Sequence, residues 1–126
     1  MRLGRRVSAT ILVVDDEEAI RGLLVNLLED EGYLVVAARN GRAALEAIAD
    51  APPNLVITDL MMPELDGREL IRRLQARPEW SQIPVILLSA ALPDRGAIPL
   101  VGVFVSKPFD LDALLAIIAT ALNDTN

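Results

Sequence analysis

Short apolar runs alternate along the chain with segments in which apolar residues recur every three or four positions. The run Thr10–Val14 is continuous and rich in β-branched residues, which is typical of a strand buried on both faces. Apolar residues at helical spacing follow between Ile20 and Leu28, and Gly32 ends that predicted helix. The same alternation continues to the end of the chain. It predicts further strands at Tyr33–Ala38, Leu55–Thr58, Val85–Leu88 and Val101–Val105, and further helices around Ala44–Ile48, Leu70–Leu74 and Leu111–Leu122.

Strand–helix alternation at this spacing predicts an α/β fold, a parallel sheet with helices on both faces. For five strands with right-handed crossovers, the flavodoxin-like doubly wound order 2-1-3-4-5 is the expected arrangement. We predict a single domain over residues 1–126 with its core at about 10–122. Only 17 residues separate Ser89 from Lys107, and they include two prolines and two glycines. The fourth helix should therefore be a single turn or missing.

Composition excludes several classes of chemistry. The 126 residues contain no cysteine and no histidine, which removes disulfides, thiolate nucleophiles, Cys/His zinc sites and imidazole bases. The formal net charge is −6, and no basic stripe is apparent, so direct nucleic-acid binding is not expected. The longest uncharged stretch, Trp80–Pro93, has 14 residues and is too short to span a bilayer. We expect a cytoplasmic protein without membrane insertion.

Polar residues follow four of the predicted strands. Asp15 and Asp16 follow the first strand, Asp59 the third, Ser89 the fourth and Lys107 the fifth. In the order 2-1-3-4-5 these strands are neighbours, and ligands of open α/β sheets bind at the carboxyl ends of strands. Three carboxylates brought together repel one another unless a cation lies between them, and hard oxygen ligands suit Mg²⁺. The one lysine of the chain would supply a compact charge for a phosphoryl oxygen.

Each of these residues also has an ordinary structural explanation. Asp15 with Glu18 three positions later fits a helix capping box. Asp59 could belong to a turn, Asp66 could introduce the third helix, and Lys107 could be a solvated strand end. What favours a site is their joint position at adjacent strand ends.

Four segments in order resemble the receiver domain of two-component response regulators, of the kind found in chemotaxis regulators. They are ILVVDDEE (Ile11–Glu18), LVITDLMMPELDG (Leu55–Gly67), VILLSA (Val85–Ala90) and SKPF (Ser106–Phe109), and the second is the most specific. The resemblance extends over essentially the whole chain, from about Thr10 to Leu122.

The resemblance implies a role for each strand-end residue. Asp59 would be the phosphoacceptor, taking its phosphoryl group from a histidine kinase or a phosphotransfer protein. Asp16 and Asp59 would bind Mg²⁺ directly with the main-chain carbonyl of Met61, and Asp15 would bind it mainly through water. Ser89 and Lys107 would hold phosphoryl oxygens.

The resemblance also implies a switch. Ser89 would move towards the phosphoryl group, and Phe104 on the fifth strand matches the family's switch aromatic. A plain core aromatic is an equally good explanation of Phe104. In the family the peptide bond between Lys107 and Pro108 is cis.

The function implied is a signalling phosphoacceptor that changes partners, such as an output protein or domain, when it is phosphorylated. It would not be an enzyme beyond promoting its own phosphorylation and dephosphorylation. An alternative is a receiver-like interaction scaffold that works without phosphorylation, and a third is a small phosphatase with an aspartate nucleophile. No output domain follows residue 122, so the chain is expected to be a stand-alone receiver or part of a longer regulator.

The last predicted helix, the fifth in the family's numbering, carries no charge between Asp112 and Asp124. Small or uncharged residues on its outer face would suit docking or a homodimer, although an alanine-rich helix could show the same pattern. The residues of this candidate interface are Ala113, Ala116, Ile117 and Thr120.

Overall fold

A computed structural model describes residues 9–90 and 102–124 of the chain. Its sheet has five parallel strands in the order β2-β1-β3-β4-β5, which confirms the predicted topology. The strands are β1 (Thr10–Val14), β2 (Leu34–Ala38), β3 (Leu55–Asp59), β4 (Val85–Ser89) and β5 (Gly102–Ser106). Their bounds differ from the predicted ones by one residue at most.

Helices follow four of the five strands in the described part of the chain. They are α1 (Glu18–Asp30), α2 (Gly41–Asp50), α3 (Gly67–Gln75) and α4 (Leu111–Asp124). The side chains of Asn40 and Asp66 accept hydrogen bonds from backbone N–H groups three residues on and so cap α2 and α3. The predicted short or missing helix between β4 and β5 falls in 91–101, outside the described residues. The last helix is therefore α4 here.

The sheet separates two hydrophobic layers, one on each face. On one face, side chains of β1, β3 and β4 pack against α2 and α3, with Ile48, Leu70 and Ile71 fully buried. On the other, the alternate side chains pack against α1 and α4 around Leu24 and Leu114. The central strands are buried on both faces, as parallel strands between helices must be. This double layer fixes where the carboxyl ends of the strands emerge.

The edge strand β2 is less covered than the central strands. Leu34 and Val36 are 55% and 44% exposed, whereas every residue of β3 and β4 is buried. Within the described residues, no helix combines the length and apolar character needed to cross a membrane.

Candidate functional site

The predicted site residues come together at the carboxyl edge of the sheet. Asp15 lies directly after β1, Asp59 and Ser89 are the last residues of β3 and β4, and Lys107 lies directly after β5. Because these four strands are neighbours, their ends form one continuous edge. The structure thus places all four side chains on the same side of the molecule.

Three carboxylates form an acidic cluster at this edge. Asp15, Asp16 and Asp59 each have a carboxylate oxygen within 4.8 Å of the other two. Asp15 is fully buried, Asp59 is 6% exposed and Asp16 is exposed to solvent. The cluster can therefore be reached from solvent on the Asp16 side.

Lys107 lies among the acids. Its Nζ donates a hydrogen bond to Asp59 Oδ1 at 3.3 Å and is 3.6 Å from Asp15 Oδ2 and 3.7 Å from Glu17 Oε1. Its backbone N–H donates to the carbonyl oxygen of Ser89 at 2.7 Å, which fixes β5 against the end of β4. The peptide bond between Lys107 and Pro108 is cis, as expected.

Burial and charge shift the pKa values of these groups. Burial raises the pKa of Asp15, and burial together with the neighbouring Asp15 charge raises the pKa of Asp59. Burial alone would lower the pKa of Lys107, but the attraction of Asp15, Asp59 and Glu17 outweighs it and leaves that pKa raised. The single ammonium therefore stays charged and compensates only part of the acidic charge.

The donor set fits a hard divalent cation. Asp15 Oδ2 is buried and accepts no hydrogen bond from the described residues, and the one ammonium 3.6 Å away, that of Lys107, is shared with two other carboxylates. Three carboxylates without a soft ligand match the preference of Mg²⁺ for oxygen. The remaining predicted ligand is the main-chain carbonyl of Met61. This residue is 63% exposed, and its apolar side chain offers no ligand of its own.

The capping-box explanation of Asp15 is wrong. The N-cap residue of α1 is Glu17, and Asp15 Oδ1 accepts a hydrogen bond from the Glu17 N–H before the helix begins. The bond orients the Asp15 carboxylate and leaves Oδ2 facing Lys107. By contrast, Asp66 does introduce α3, as its ordinary explanation proposed, and its side chain caps the helix.

Three further residues support the site and were not predicted. Arg21 Nη1 donates to the main-chain carbonyl of Asp15 at 2.8 Å, and Glu17 adds a third carboxylate beside Lys107. A Cβ on Gly67 would lie 2.8 Å from the main-chain oxygen of Asp59. Each had a signal in the sequence that could have pointed to it. For Arg21 it was a basic residue near the start of α1, for Glu17 the acidic run after β1, and for Gly67 a glycine directly after Asp66.

Ser89 and Phe104, the predicted switch residues, lie on the neighbouring strands β4 and β5. Ser89 is 1% exposed at the end of β4. Phe104 pairs with Leu87 across the β4–β5 ladder and packs, partly buried, against the α2–α3 layer. Their switching roles stay predictions.

The candidate interface on the last helix is partly wrong. Ala113, Ala116 and Thr120 are exposed on α4. Ile117 is instead partly buried and packs against the core between the sheet and α4. An apolar spacing of three or four residues locates the buried stripe of a helix but not its edges. A residue at the edge, such as Ile117, therefore cannot be told from a solvent-facing residue by spacing alone.

Comparison with known proteins decides the family. The profile of the response regulator receiver domain matches residues 11–119, which is most of the chain. This chain belongs to the response regulator receiver domain family. The resemblance seen in the four sequence segments is thereby confirmed, and with it the assignment to two-component signalling.

Relatives of this receiver include longer regulators. It is 45% identical to the uncharacterized transcriptional regulatory protein YkoG of Bacillus subtilis, over 89% of this chain and 50% of that protein. It is 40% identical to the response regulator MprA of Mycolicibacterium vanbaalenii, over 91% and 51%. The receiver thus spans about half the length of these relatives.

Solved structures show the same fold. The signal receiver domain of a histidine kinase from Syntrophus aciditrophicus matches with a TM-score of 0.85 and 33% identity, over 93% of this chain and 92% of that one. The chemotaxis protein CheY4 of Vibrio cholerae matches with a TM-score of 0.83 and 28% identity, over 91% and 99%. These matches confirm the flavodoxin-like architecture.

Proposed function

We propose that this receiver takes a phosphoryl group from the phosphohistidine of a partner kinase, or of a phosphotransfer protein, onto Asp59. The observation that carries the proposal is the acidic cluster with Lys107 at the carboxyl edge of the sheet. Phosphoryl transfer asks a protein mainly to position groups and to neutralise charge, and this edge provides both. The proposal includes a cytoplasmic location for this receiver.

The chemistry requires one nucleophile. A carboxylate oxygen of Asp59 attacks phosphorus, an O–P bond forms, and the P–N bond to the donor imidazole breaks with its electron pair left on nitrogen. The product is an acyl phosphate on Asp59 and a free histidine on the partner. The 126 residues contain no histidine, so the donor histidine lies outside them.

Lys107 and Ser89 would hold the transferred group. The Lys107 ammonium already lies 3.3 Å from Asp59 Oδ1, so a phosphoryl group on Asp59 would bring oxygens within its reach. The hydroxyl of Ser89, at the next strand end, would donate to another phosphoryl oxygen. Movement of Ser89 and Phe104 would then carry the change to a partner.

Asp15, Asp16, Asp59 and the main-chain carbonyl of Met61 would hold Mg²⁺. When bound, the ion supplies positive charge for the phosphoryl oxygens. Three carboxylates beside a single ammonium, with one buried Asp15 oxygen that accepts no hydrogen bond from the described residues, support this assignment.

The experiment is phosphorylation by a small donor. Incubated with acetyl phosphate and Mg²⁺, the receiver should gain the mass of one phosphoryl group, measured by intact-mass spectrometry. Chelation of Mg²⁺ or Asp59→Asn should abolish the gain, whereas the exposed Asp50→Asn should not. An unmodified wild-type chain would support a scaffold that works without phosphorylation, whereas an equally modified Asp59→Asn chain would place the phosphoryl group on another residue.

A further inference from the structure

A shallow groove runs along α3, from Glu69 in its first turn to Trp80 beyond its last residue. The groove has a volume of about 570 Å³, within the range of ligand sites, and we call it the arginine groove. Helix α3 is nine residues long, so its two ends are about 13 Å apart. The groove is lined by Leu45, Glu69, Arg72, Arg73, Ala76, Arg77 and Trp80.

The groove is positive on an acidic protein. Four of the 11 arginines of the chain fall within residues 68–77, whereas the net charge of the whole chain is −6. These arginines form no basic stripe in the sequence because they are spaced among apolar residues. The fold turns those apolar residues to the core and leaves the arginine side chains at the surface, with Arg72, Arg73 and Arg77 each more than half exposed.

The arginines have too few partners in the described structure. Arg72 and Arg73 share one carboxylate, that of Glu69, and Arg77 pairs with Glu79. The two arginines lower the pKa of Glu69, Arg73 contributing most. Three guanidinium groups thus face two carboxylates, which leaves donors for an anionic ligand.

The groove also offers an apolar contact, and one of its arginines is held in place. The guanidinium of Arg77 lies 4.4 Å from the centre of the Trp80 ring, a cation–π distance. Trp80 is 8% exposed and packs into the α2–α3 core, so the ring that the Arg77 guanidinium contacts is held in place. Leu45 and Ala76 supply further apolar surface for a small aliphatic side chain.

We propose that the arginine groove binds an acidic segment of a partner protein, with its carboxylates on the arginines and one apolar side chain beside Leu45. Planar guanidinium groups match carboxylates in bidentate geometry. Because the arginine heads are exposed, the surface suits an extended chain lying along it rather than an enclosed small ligand. This inference does not depend on phosphorylation of Asp59.

The probe is a fluorescein-labelled peptide of glutamate and aspartate with one central leucine. We expect saturable binding by fluorescence anisotropy and a change in the emission of Trp80, the chain's one tryptophan. A peptide with glutamine and asparagine in place of its acidic residues should bind at least tenfold more weakly. A peptide with serine in place of leucine should bind at least threefold more weakly. An acidic chain repels such a peptide overall, so binding reports a local positive surface.

Matched variants locate the binding. Arg73→Glu should weaken binding at least tenfold, whereas Arg42→Glu, the same charge change at an exposed position of α2 outside the groove, should change it less than twofold. Glu69→Gln should strengthen binding about threefold, because it removes the carboxylate that competes for Arg72 and Arg73. Asp59→Asn should bind as the wild type does.

Several results would overturn the proposal. Equal loss in Arg73→Glu and Arg42→Glu would mean that only net charge matters. Tighter binding of a single-stranded oligonucleotide of equal charge would reassign the groove to nucleic acid. Self-association that Arg73→Glu abolishes, seen by sedimentation, would reassign it to a second copy of this chain.

Discussion

Asp15 and Asp16 are adjacent in sequence but lie in different environments. Asp15 is fully buried with one oxygen lacking a hydrogen bond, whereas Asp16 is exposed. Burial raises the pKa of Asp15 above its usual 3.8. The folded state therefore binds more protons than the unfolded state from 3.8 up to the raised value. The contribution of Asp15 to stability without metal should fall as the pH rises through that window and stay constant above it.

This difference gives a test with a matched pair. Without metal at pH 7, Asp15→Asn should raise the free energy of unfolding by about 1 kcal/mol, because it removes a buried negative charge beside Asp59 and Asp16. Asp16→Asn should leave it nearly unchanged. Urea denaturation measures both.

Magnesium should make the wild type more stable than both variants, reversing the order of the wild type and Asp15→Asn in free energy of unfolding. At ten times its Kd, a ligand that binds only the folded state stabilises it by about 1.4 kcal/mol. The wild type should gain this increment, and both variants should lose most of it. A wild type that Mg²⁺ leaves unchanged would contradict the ligand assignment.

At the scale of elements, α3 begins directly against the phosphoacceptor strand. The N–H of Gly67 donates to the carbonyl of Leu60 at 2.9 Å, and Asp66 caps the helix. No space remains for a side chain at Gly67, where a Cβ would meet backbone at 2.8 and 3.0 Å. The start of α3 thus holds the backbone of Asp59 in place.

Gly67→Ala should therefore lower the free energy of unfolding by about 1–3 kcal/mol, the usual cost of overpacking. It should also weaken Mg²⁺ binding, because the clash involves the carbonyl of Asp59. Calorimetry measures both effects.

Gly22→Ala is the matched control. A Cβ there meets nothing within 4 Å on the exposed face of α1. This substitution should raise stability by about 0.5–1 kcal/mol, since alanine favours the helix. If Gly67→Ala is as well tolerated as Gly22→Ala, the close approach does not constrain the site.

The elements were predictable because their apolar periods are regular. The five continuous runs became the five strands, and topology rules then brought Asp15, Asp59, Ser89 and Lys107 to one edge. Contacts made by long side chains were not predictable. The reach of Arg21 to the Asp15 carbonyl and the gathering of arginines around Trp80 depend on three-dimensional packing rather than on spacing along the chain.

At the scale of the whole molecule, a homodimer through α4 stays a prediction. The exposed Ala113, Ala116 and Thr120 would form its surface. Sedimentation should then show a dimer that Ala116→Arg dissociates at least tenfold more readily, with an unchanged circular dichroism spectrum. Ile117→Arg would be a poor test because Ile117 packs against the core. A monomeric wild type at high concentration would contradict the prediction.

The described part of the molecule has two candidate binding regions, one at the carboxyl edge of the sheet and one along α3. The acidic edge at Asp59 suits a cation and a phosphoryl group, whereas the arginine groove suits carboxylates. Their ligands differ in charge, so variants at one region should leave binding at the other intact. The functions proposed for them can therefore fail separately.

The most direct test of phosphorylation at Asp59 is chemical mapping of the modified residue. The receiver would be treated with acetyl phosphate and Mg²⁺, reduced with borohydride, digested and sequenced by mass spectrometry. An acyl phosphate on Asp59 predicts homoserine at position 59 in the presence of Mg²⁺ and aspartate there without it. Homoserine at a different acidic position, or none at any, would contradict the account.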